Sequence, residues 1–267
     1  MTTEQFQVVV WQYYEGHGRK HLPWREDPSP YHVLVSELML QQTQVERVIP
    51  KFNMFVHVFK NVEQLAQAPL SEVLAAWQGL GYNRRARYLH EAAQAIVHLG
   101  HFPDKHEDLV KLPGVGRNTA GAIQVYAFAH VAFFVETNIR TVYFYHFFAD
   151  RTDVTDAEIY ALLERTADRR DIRGWYAALM DYGTYLKSQK LGSISKSKHY
   201  KKQGGFMGSA RQVRGQIIRE LTHGKKTEAQ LAQVINDERL GIILEKLISE
   251  GMVEKERTAY MLPGQLV

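Results

Sequence analysis

Glu37 is the side chain whose surroundings point most directly to proton chemistry. It lies in the apolar segment Val33-Leu34-Val35-Ser36-Glu37-Leu38-Met39-Leu40, where an ionised carboxylate is poorly solvated. Desolvation raises the pKa of a carboxyl group, and an acid with a raised pKa is suited to donate a proton to a leaving group. The alternative is a glutamate on the exposed face of a helix, which would have no catalytic role.

A glycine-rich turn, Leu112-Pro113-Gly114-Val115-Gly116-Arg117-Asn118-Thr119, indicates a binding function. The pattern predicts that one helix ends at Leu112 and that an alanine-rich helix begins directly after the second glycine. Gly114 and Gly116 allow backbone conformations and close approaches that a side chain would prevent. The first-turn amides of the new helix, together with Arg117, are therefore suited to bind an anion such as a nucleic-acid phosphate. An ordinary corner between two helices is the alternative for a turn of this kind.

Helices are predicted to carry both features. Over the first 190 residues, apolar positions recur at spacings of three and four, as at Leu34 and Leu38, while strand-like alternation is scarce. Glycines such as Gly79 and Gly100 mark helix ends. The sequence therefore predicts many short helices joined by tight turns.

A different pattern follows residue 208. Three helices are predicted at 210–223, 227–235 and 238–250, and residues 252–255 and 258–262 alternate like the strands of a hairpin. This set is typical of a winged-helix module, whose third helix often enters a major groove. The predicted third helix carries few side chains that read bases, so contact with a protein partner remains an equal alternative.

Composition and charge are compatible with a nucleic-acid partner. The 267 residues carry a formal net charge of +4, and six lysines without an acidic residue lie between Lys187 and Lys202. Such a run is either a solvated linker or a segment that follows a phosphate backbone. The sequence has no cysteine, which excludes disulfides, an iron–sulfur cluster and cysteine-ligated zinc, and its histidines show no metal-ligand spacing. We find no secretory signal and no membrane span, so we expect a soluble, cytoplasmic protein.

The segment Ser36-Glu37-Leu38-Met39-Leu40-Gln41-Gln42-Thr43-Gln44-Val45 resembles the MutY-type adenine DNA glycosylases of the helix-hairpin-helix superfamily. The resemblance extends over residues 5–190. It implies that Glu37 projects into a base pocket and that Gln41 or Gln42 wedges into the duplex as the target nucleotide leaves. The pocket lining that it implies consists of Trp24, Arg25 and Asn138. Protonation of a purine ring nitrogen would make the base a better leaving group.

The block Gly79-Leu80-Gly81-Tyr82-Asn83-Arg84-Arg85-Ala86-Arg87 resembles a second loop of the same family. Tyr82 would stack in the helix opposite the extruded base, and nearby arginines would contact phosphates without specifying sequence. These arginines are Arg84, Arg85 and Arg87. The glycine-rich turn matches the family's hairpin, where a monovalent cation is compatible with the resemblance. Its expected DNA-binding residues are Gly114, Gly116, Arg117, Asn118 and Thr119.

Glu136 is a departure from the family. The block Phe133-Phe134-Val135-Glu136-Thr137-Asn138-Ile139-Arg140 matches a segment where the family has a catalytic aspartate. That carboxylate stabilises positive charge on the deoxyribose or directs the nucleophile, and a glutamate keeps the charge but reaches about one C–C bond farther. Either the site is adapted, as the retained Glu37 and wedge residues favour, or the chain binds DNA without efficient turnover.

Two further departures bear on the reaction. Bifunctional relatives have a lysine nucleophile where this sequence has Asn118, so the resemblance implies hydrolysis by water, an abasic product and no lyase activity. The block Ala177-Ala178-Leu179-Met180-Asp181-Tyr182-Gly183-Thr184 resembles a motif that in most relatives leads into four cluster-binding cysteines. Residues 185–205 contain none, so no cluster is expected, and no metal other than the monovalent cation at the hairpin.

The expected fold is all-α, a helix-hairpin-helix glycosylase fold of two helical domains with a small winged-helix-like module. The expected domains are 24–133 with the hairpin, 1–23 with 134–190, a basic linker at 191–208 and the module at 209–267. The expected activity is that of a monofunctional DNA N-glycosylase of base excision repair, acting at the nucleoid on duplex DNA with adenine opposite guanine or 8-oxoguanine. The alternatives are thymine or uracil removal from T:G or U:G mispairs, and a catalytically silent binder of mismatches or lesions. The C-terminal module is also a candidate site for a protein partner.

Overall fold

The structure is a computed structural model that describes residues 1–192 and 205–265. The first 190 residues are mainly helical, as the apolar spacing predicts. The helices in this part, in chain order, are α1 (Thr3–His17), α2 (Pro23–Glu26), α3 (Pro30–Leu40), α4 (Val45–Val58), α5 (Val62–Gln67), α6 (Leu70–Ala76), α7 (Arg84–Leu99), α8 (His106–Leu109), α9 (Arg117–Phe128), α10 (Thr137–Phe147), α11 (Asp156–Thr166) and α12 (Ile172–Ser188), the last preceded by a 3₁₀ turn at Arg169–Asp171. Within the described ranges, none of the helices has the length and apolar character needed to cross a membrane.

The C-terminal module has the predicted helices and hairpin, with slightly different boundaries. Its elements are α13 (Ala210–Leu221), β1 (Lys226–Thr227), α14 (Glu228–Val234), α15 (Leu240–Ser249), β2 (Glu254–Glu256) and β3 (Ala259–Met261). The strands form an antiparallel sheet in the order β1-β3-β2, in which Tyr260 lies opposite both Lys226 and Lys255. The sequence did not predict β1 because two residues are too few to show alternation. This order of elements is that of a winged helix.

Two compact units make up the described chain. The first contains residues 1–33, 104–111 and 115–192, and the second contains residues 34–103, 112–114 and 205–265. The winged-helix-like module therefore belongs to the second unit and α9 to the first. This grouping differs from the domains expected from the sequence, whose division stays a prediction. Most of the expected basic linker, at 193–204, lies outside the described residues.

Aromatic side chains build much of the core of the first unit. Phe6 on α1 packs against Tyr143 on α10 and Trp175 on α12, with ring centroids 5.4 and 5.8 Å apart. Phe134 stacks on Tyr176 of α12 at 4.2 Å. All five rings are buried, and full burial of a large apolar side chain contributes about 1.5–3 kcal/mol. These contacts fix α10 and the extended segment before it, which ends at Glu136.

The core of the second unit extends to the loop that carries Tyr82. Phe55 on α4 packs edge-on against Trp77, with ring centroids 6.0 Å apart, and both side chains are fully buried. The indole Nε1 of Trp77 donates a hydrogen bond to the carbonyl of Gly81 at 3.1 Å. The loop between α6 and α7 is thus attached to the core by its own backbone.

Candidate functional site

The glycine-rich turn depends on Gly114. Its φ is +76°, in the left-handed region that side chains disfavour. A Cβ at this position would lie 2.7 Å from Cβ of Tyr88 on α7 and 3.4 Å from Leu38 on α3. The helix before the turn ends at Leu109, earlier than the predicted Leu112, because residues 110–112 form a tighter turn. Glycine at position 114 therefore lets the turn approach two helices of the second unit closely.

Gly116 begins α9 and leaves the start of this helix open. It is the N-cap residue, with extended φ and ψ of −85° and 177° and no side-chain capping bond. No described atom lies within 4 Å of the position where its Cβ would be. The first-turn amides of a helix attract anions through their N–H groups and the helix dipole, and Arg117 at this turn is exposed. This end of α9 is suited to bind a phosphate.

Arg85 has a different role from the phosphate contact that the sequence predicted. Its side chain is buried in the second unit. Nη1 donates hydrogen bonds to the carbonyl oxygens of Leu38 and Met39 at 2.8 and 2.9 Å. Burial lowers the pKa of Arg85 to about 10, so the guanidinium stays charged at neutral pH and caps the C-terminal end of α3, where the helix dipole favours a cation. A phosphate has no access to a group in this position.

The same guanidinium joins two turns that carry the expected wedge residues. Nη1 donates to the carbonyl of Gln41 at 2.6 Å, and Nη2 donates to the carbonyl of Gly81 at 3.1 Å. Gln42 and Tyr82, which follow these carbonyls, are exposed and have φ values of +56° and +49°. A left-handed residue other than glycine costs about 1–2 kcal/mol and persists only where its surroundings hold it. Both side chains are thus presented from strained turns fixed by one buried arginine.

Arg84 and Arg87 are the more accessible arginines of α7. Arg84 pairs with Glu250 at 2.5 Å and its side chain is 47% exposed. Arg87 pairs with Glu91 one turn later at 2.7 Å. Ion pairs at a protein surface contribute only about 0–1 kcal/mol. Arg87 is therefore able to exchange Glu91 for a phosphate. Arg84 is able to donate to a phosphate with the N–H groups that Glu250 does not use, because a guanidinium has five of them.

Glu37 lies on α3, one turn before the helix end that Arg85 caps. Its neighbours Leu34, Leu38 and Met39 are fully buried, while Glu37 is half-buried. The carboxylate therefore occupies the less buried side of an otherwise apolar helix. Glu37 belongs to the second unit.

Asn118 braces the segment that carries Glu136 within the first unit. Its Nδ2 donates a hydrogen bond to the carbonyl of Val135 at 3.0 Å, and its Oδ1 accepts one from the hydroxyl of Tyr160 at 3.1 Å. The amide of Phe134 donates to the hydroxyl of Tyr176 at 3.0 Å. Side chains from other helices thus hold the two residues before Glu136.

Glu136 is the N-cap residue of α10 and is half-buried. Burial raises the pKa of its carboxyl group, and the charge of Arg140 opposes this shift. Arg140 is held by Asp156, with hydrogen bonds of 3.0 and 2.7 Å from Nε and Nη2 to the two carboxylate oxygens. A carboxylate that is poorly solvated interacts strongly with a positive charge that develops beside it. The setting of Glu136 therefore suits stabilisation of a cation.

The expected pocket residues are all held by the first unit. Trp24 is buried, and Asn138 is half-buried in the first turn of α10. Arg25 donates to both carboxylate oxygens of Asp181, at 2.8 and 3.1 Å, and Asp181 also accepts from Arg19. These bonds use the Arg25 guanidinium to join α2 to α12. The pocket lining itself stays a prediction.

A family model described as the HhH-GPD superfamily of base excision DNA repair proteins matches residues 35–168, which is half of the chain. The chain belongs to the HhH-GPD superfamily. An adenine DNA glycosylase of Mycolicibacterium smegmatis is 34% identical to this chain, and the match covers 96% of this chain and 94% of the relative. The chain spans only 41% and 56% of the lengths of two adenine DNA glycosylases from Buchnera aphidicola, at 40% and 33% identity over 53% and 71% of this chain. The resemblance to MutY-type glycosylases is confirmed.

Solved structures of a thymine-DNA glycosylase and of endonuclease III agree with the fold. A thermostable thymine-DNA glycosylase is 26% identical, with a TM-score of 0.60 over 67% of this chain and 86% of that chain. A trapped endonuclease III–DNA complex is 20% identical, with a TM-score of 0.57 over 70% and 86%. The predicted all-α glycosylase fold is confirmed.

The iron–sulfur cluster implied by the superfamily does not fit this member. Its sequence has no cysteine, and within residues 1–192 and 205–265 no group of three or more His, Cys, Asp or Glu side chains is arranged to hold a metal ion. Residues 177–184, which resemble the family's motif before the cluster, contribute to helix packing here. A Cβ on Gly183 would lie 2.2 Å from the carbonyl oxygen of Asn138, so this glycine lets α12 touch the backbone of α10. The monovalent cation at the hairpin stays a prediction.

Sequence reasoning missed the role of Arg85 and that of Arg211 in the C-terminal module, whose Nη1 donates a hydrogen bond to the hydroxyl of Tyr82. A signal for Arg85 was present, because Leu89, Ala92 and Ile96 form an apolar stripe whose spacing of three and four includes position 85. An arginine on that stripe faces the core. No comparable pattern marks the module residues, because their contacts are made with a loop more than a hundred positions away.

Proposed function

We propose that the chain is a monofunctional adenine DNA glycosylase that removes adenine paired with guanine or 8-oxoguanine. Two relatives with that name, from Mycobacterium tuberculosis and Mycolicibacterium smegmatis, match 97% and 96% of this chain at 31% and 34% identity. The main support for the chemistry is the setting of Glu136. Glu136 is half-buried and its pKa is raised. The residue before it, Val135, is held by a hydrogen bond from Asn118. Asn118 occupies the position where bifunctional relatives have a lysine.

In the proposed reaction, Glu37 donates a proton to a ring nitrogen of the extruded adenine. The bond from C1′ of the deoxyribose to the base breaks, its electron pair goes to the base, and positive charge develops on the sugar. The Glu136 carboxylate stabilises that charge, and water adds to C1′ and loses a proton, which leaves free adenine and an abasic site. Asn118 offers no amine to attack the sugar, so strand cleavage does not follow.

The proposed DNA contacts follow from the exposed groups. The α9 amides at Gly116, Arg117 and Thr119 bind one phosphate, and Arg84 and Arg87 bind others. Gln42, next to Gln41, and Tyr82 enter the duplex while the target nucleotide is flipped out, which requires unstacking energy of a few kcal/mol. Binding to duplex DNA would place the protein at the nucleoid.

A defined series of duplexes tests the proposal. The full chain is mixed in excess with duplexes that carry A:8-oxoG, A:G, T:G or U:G, and abasic sites are revealed by alkali. We expect cleavage after alkali with the two adenine pairs and no cleavage without alkali. Product only from T:G or U:G would contradict the adenine assignment, and cleavage without alkali would contradict the monofunctional mechanism.

Carboxylate variants test the mechanism. Glu37→Gln and Glu136→Gln are each expected to lower the single-turnover rate at least about a hundredfold, while binding to the A:8-oxoG duplex is kept. Glu63→Gln, an exposed glutamate of α5, is the matched control and should excise adenine at the wild-type rate. Binding without excision by the wild-type chain would identify a silent lesion binder instead.

A further inference from the structure

The C-terminal module contacts the loop that carries Tyr82. Arg211, in the first turn of α13, donates a hydrogen bond from Nη1 to the hydroxyl of Tyr82. Its guanidinium carbon lies 5.6 Å from the centroid of the tyrosine ring, and that of Arg85 lies 5.3 Å from it. Arg85, Arg211 and the loop that carries Tyr82 all belong to the second unit. One arginine from α7 and one from the module thus approach the same ring.

An ion-pair network links the same helices a few residues away. Glu250, which follows α15, accepts hydrogen bonds from Arg84 and from Arg214, one turn after Arg211 on α13. Its side chain is only 13% exposed, so the three groups form a partly buried triad. The start of α7, directly after Tyr82, is therefore fixed to the module by charge.

The end of the module is attached to the same unit at a separate point. The amide of Ser71 on α6 donates to the carbonyl of Pro263 at 3.1 Å. A Cβ on Gly264 would lie 3.0 Å from Cβ of Pro69, so the backbones approach closely. Contacts at α6 and at α7 together hold the first turn of α13 at the Tyr82 loop.

Tyr82 needs such support for two reasons. Its φ of +49° is strained, and an exposed tyrosine loses side-chain freedom when it enters a DNA helix. A group that is already held in its working orientation avoids that loss on binding. The hydrogen bond from Arg211 to the Tyr82 hydroxyl restricts the orientation of the ring.

We propose that the C-terminal module is a brace for the DNA wedge and that Arg211 is a positioning residue for Tyr82. The module then acts in the reaction through the first turn of α13, and not through the groove-reading helix of a winged-helix protein. This inference rests on the proposed function, because Tyr82 is taken to enter DNA.

A double-mutant cycle tests the brace. Arg211→Ala, Tyr82→Phe and the double variant of the full chain are compared with the wild type in single-turnover excision from an A:8-oxoG duplex. Each single variant is expected to lower the rate about tenfold, as loss of a hydrogen bond to a charged group would, and the double variant should be no slower than either. Arg211→Lys, which keeps a donor and the charge, should recover part of the rate.

Arg219→Ala is the matched control, because Arg219 is an exposed arginine of the same helix. It should bind an undamaged duplex as Arg211→Ala does and should excise at the wild-type rate. An excision rate for Arg211→Ala within twofold of the control, or single losses that multiply in the double variant, would overturn the brace.

A second readout separates this inference from the proposed function. The fluorescence of 2-aminopurine next to the mispair rises when the duplex is unstacked, and this needs binding but no excision. We expect a rise with the wild type and a smaller rise with Arg211→Ala and Tyr82→Phe. A wild-type chain that unstacks the duplex but excises no base contradicts the proposed function and leaves the brace supported if the variants differ. No rise with the wild type overturns the brace.

Discussion

Replacement of Gly114 by alanine is expected to destabilise the protein through two separate effects. The residue would have to keep a φ of +76°, which costs about 1–2 kcal/mol for a residue other than glycine. Its Cβ would also lie 2.7 Å from Cβ of Tyr88, well inside the 3.5–4.0 Å of a favourable carbon contact, and such overpacking costs about 1–3 kcal/mol. The neighbouring carbon is close to the α7 backbone and has little freedom to move. We therefore expect a loss of about 3 kcal/mol in the free energy of unfolding.

Gly116→Ala is the matched control within the same turn. Its backbone angles suit any residue, and no described atom lies within 4 Å of the new Cβ. The gain of about 0.4–1 kcal/mol from a less flexible unfolded chain is offset by the weaker N-cap preference of alanine. Stability should change by less than about 0.5 kcal/mol. The new methyl group would instead occupy the space in front of the α9 amides, so affinity for duplex DNA should fall about tenfold, as for loss of a charged hydrogen bond.

Urea denaturation and DNA binding at fixed salt concentration together test this assignment. The expected pattern is a stability loss confined to Gly114→Ala and, at a temperature where both variants are folded, an affinity loss with Gly116→Ala. If Gly114→Ala unfolds within 1 kcal/mol of the wild type, the close packing described for this turn is wrong. If Gly116→Ala binds DNA like the wild type, the α9 amides are not the phosphate site.

Further predictions concern Arg85, Glu136 and Asn118. Arg85→Met should lower the free energy of unfolding by about 3–5 kcal/mol, since it leaves several carbonyls on both wedge turns without a donor, at about 1–3 kcal/mol for each buried one. Arg87→Met should change the free energy of unfolding by less than about 1 kcal/mol, and equal losses in urea denaturation would contradict this. Because burial raises the pKa of Glu136, the single-turnover rate should fall as the pH drops through that raised value, so an acidic limb at or below the ordinary 4.5 would contradict it. The raised pKa also means that protonated Glu136 contributes stability to the folded state. This stability is fully present below pH 4.5 and is lost as the pH rises through the pKa of the folded state. Glu136→Gln should therefore unfold at a higher urea concentration than the wild type at pH 7 but not at pH 4. Asn118→Leu should lower the excision rate more than the affinity for the A:8-oxoG duplex, because it frees the carbonyl before Glu136; an equal loss of both would indicate a DNA contact instead.

The sequence by itself determined the helical fold, the turn at Gly114 and the superfamily. These features are local, because a helix follows from apolar residues at spacings of three and four and a left-handed turn from glycine. The winged-helix-like module was predicted in the same way, from three amphipathic segments and an alternating hairpin. Glu37 was singled out by its apolar neighbours, which are buried in the structure.

Only the tertiary structure decided what the polar side chains bind. Arg85, Asn118 and Arg211 were expected to contact DNA or were not considered, and each donates a hydrogen bond to a distant part of its own unit. Such bonds join residues 17 to 129 positions apart, so the spacing of residues along the sequence does not predict them. Their geometry is set by how helices pack, and packing depends on the shapes of many buried side chains at once. The family resemblance therefore predicted the wedge residues, and the fold identified the side chains that hold their turns.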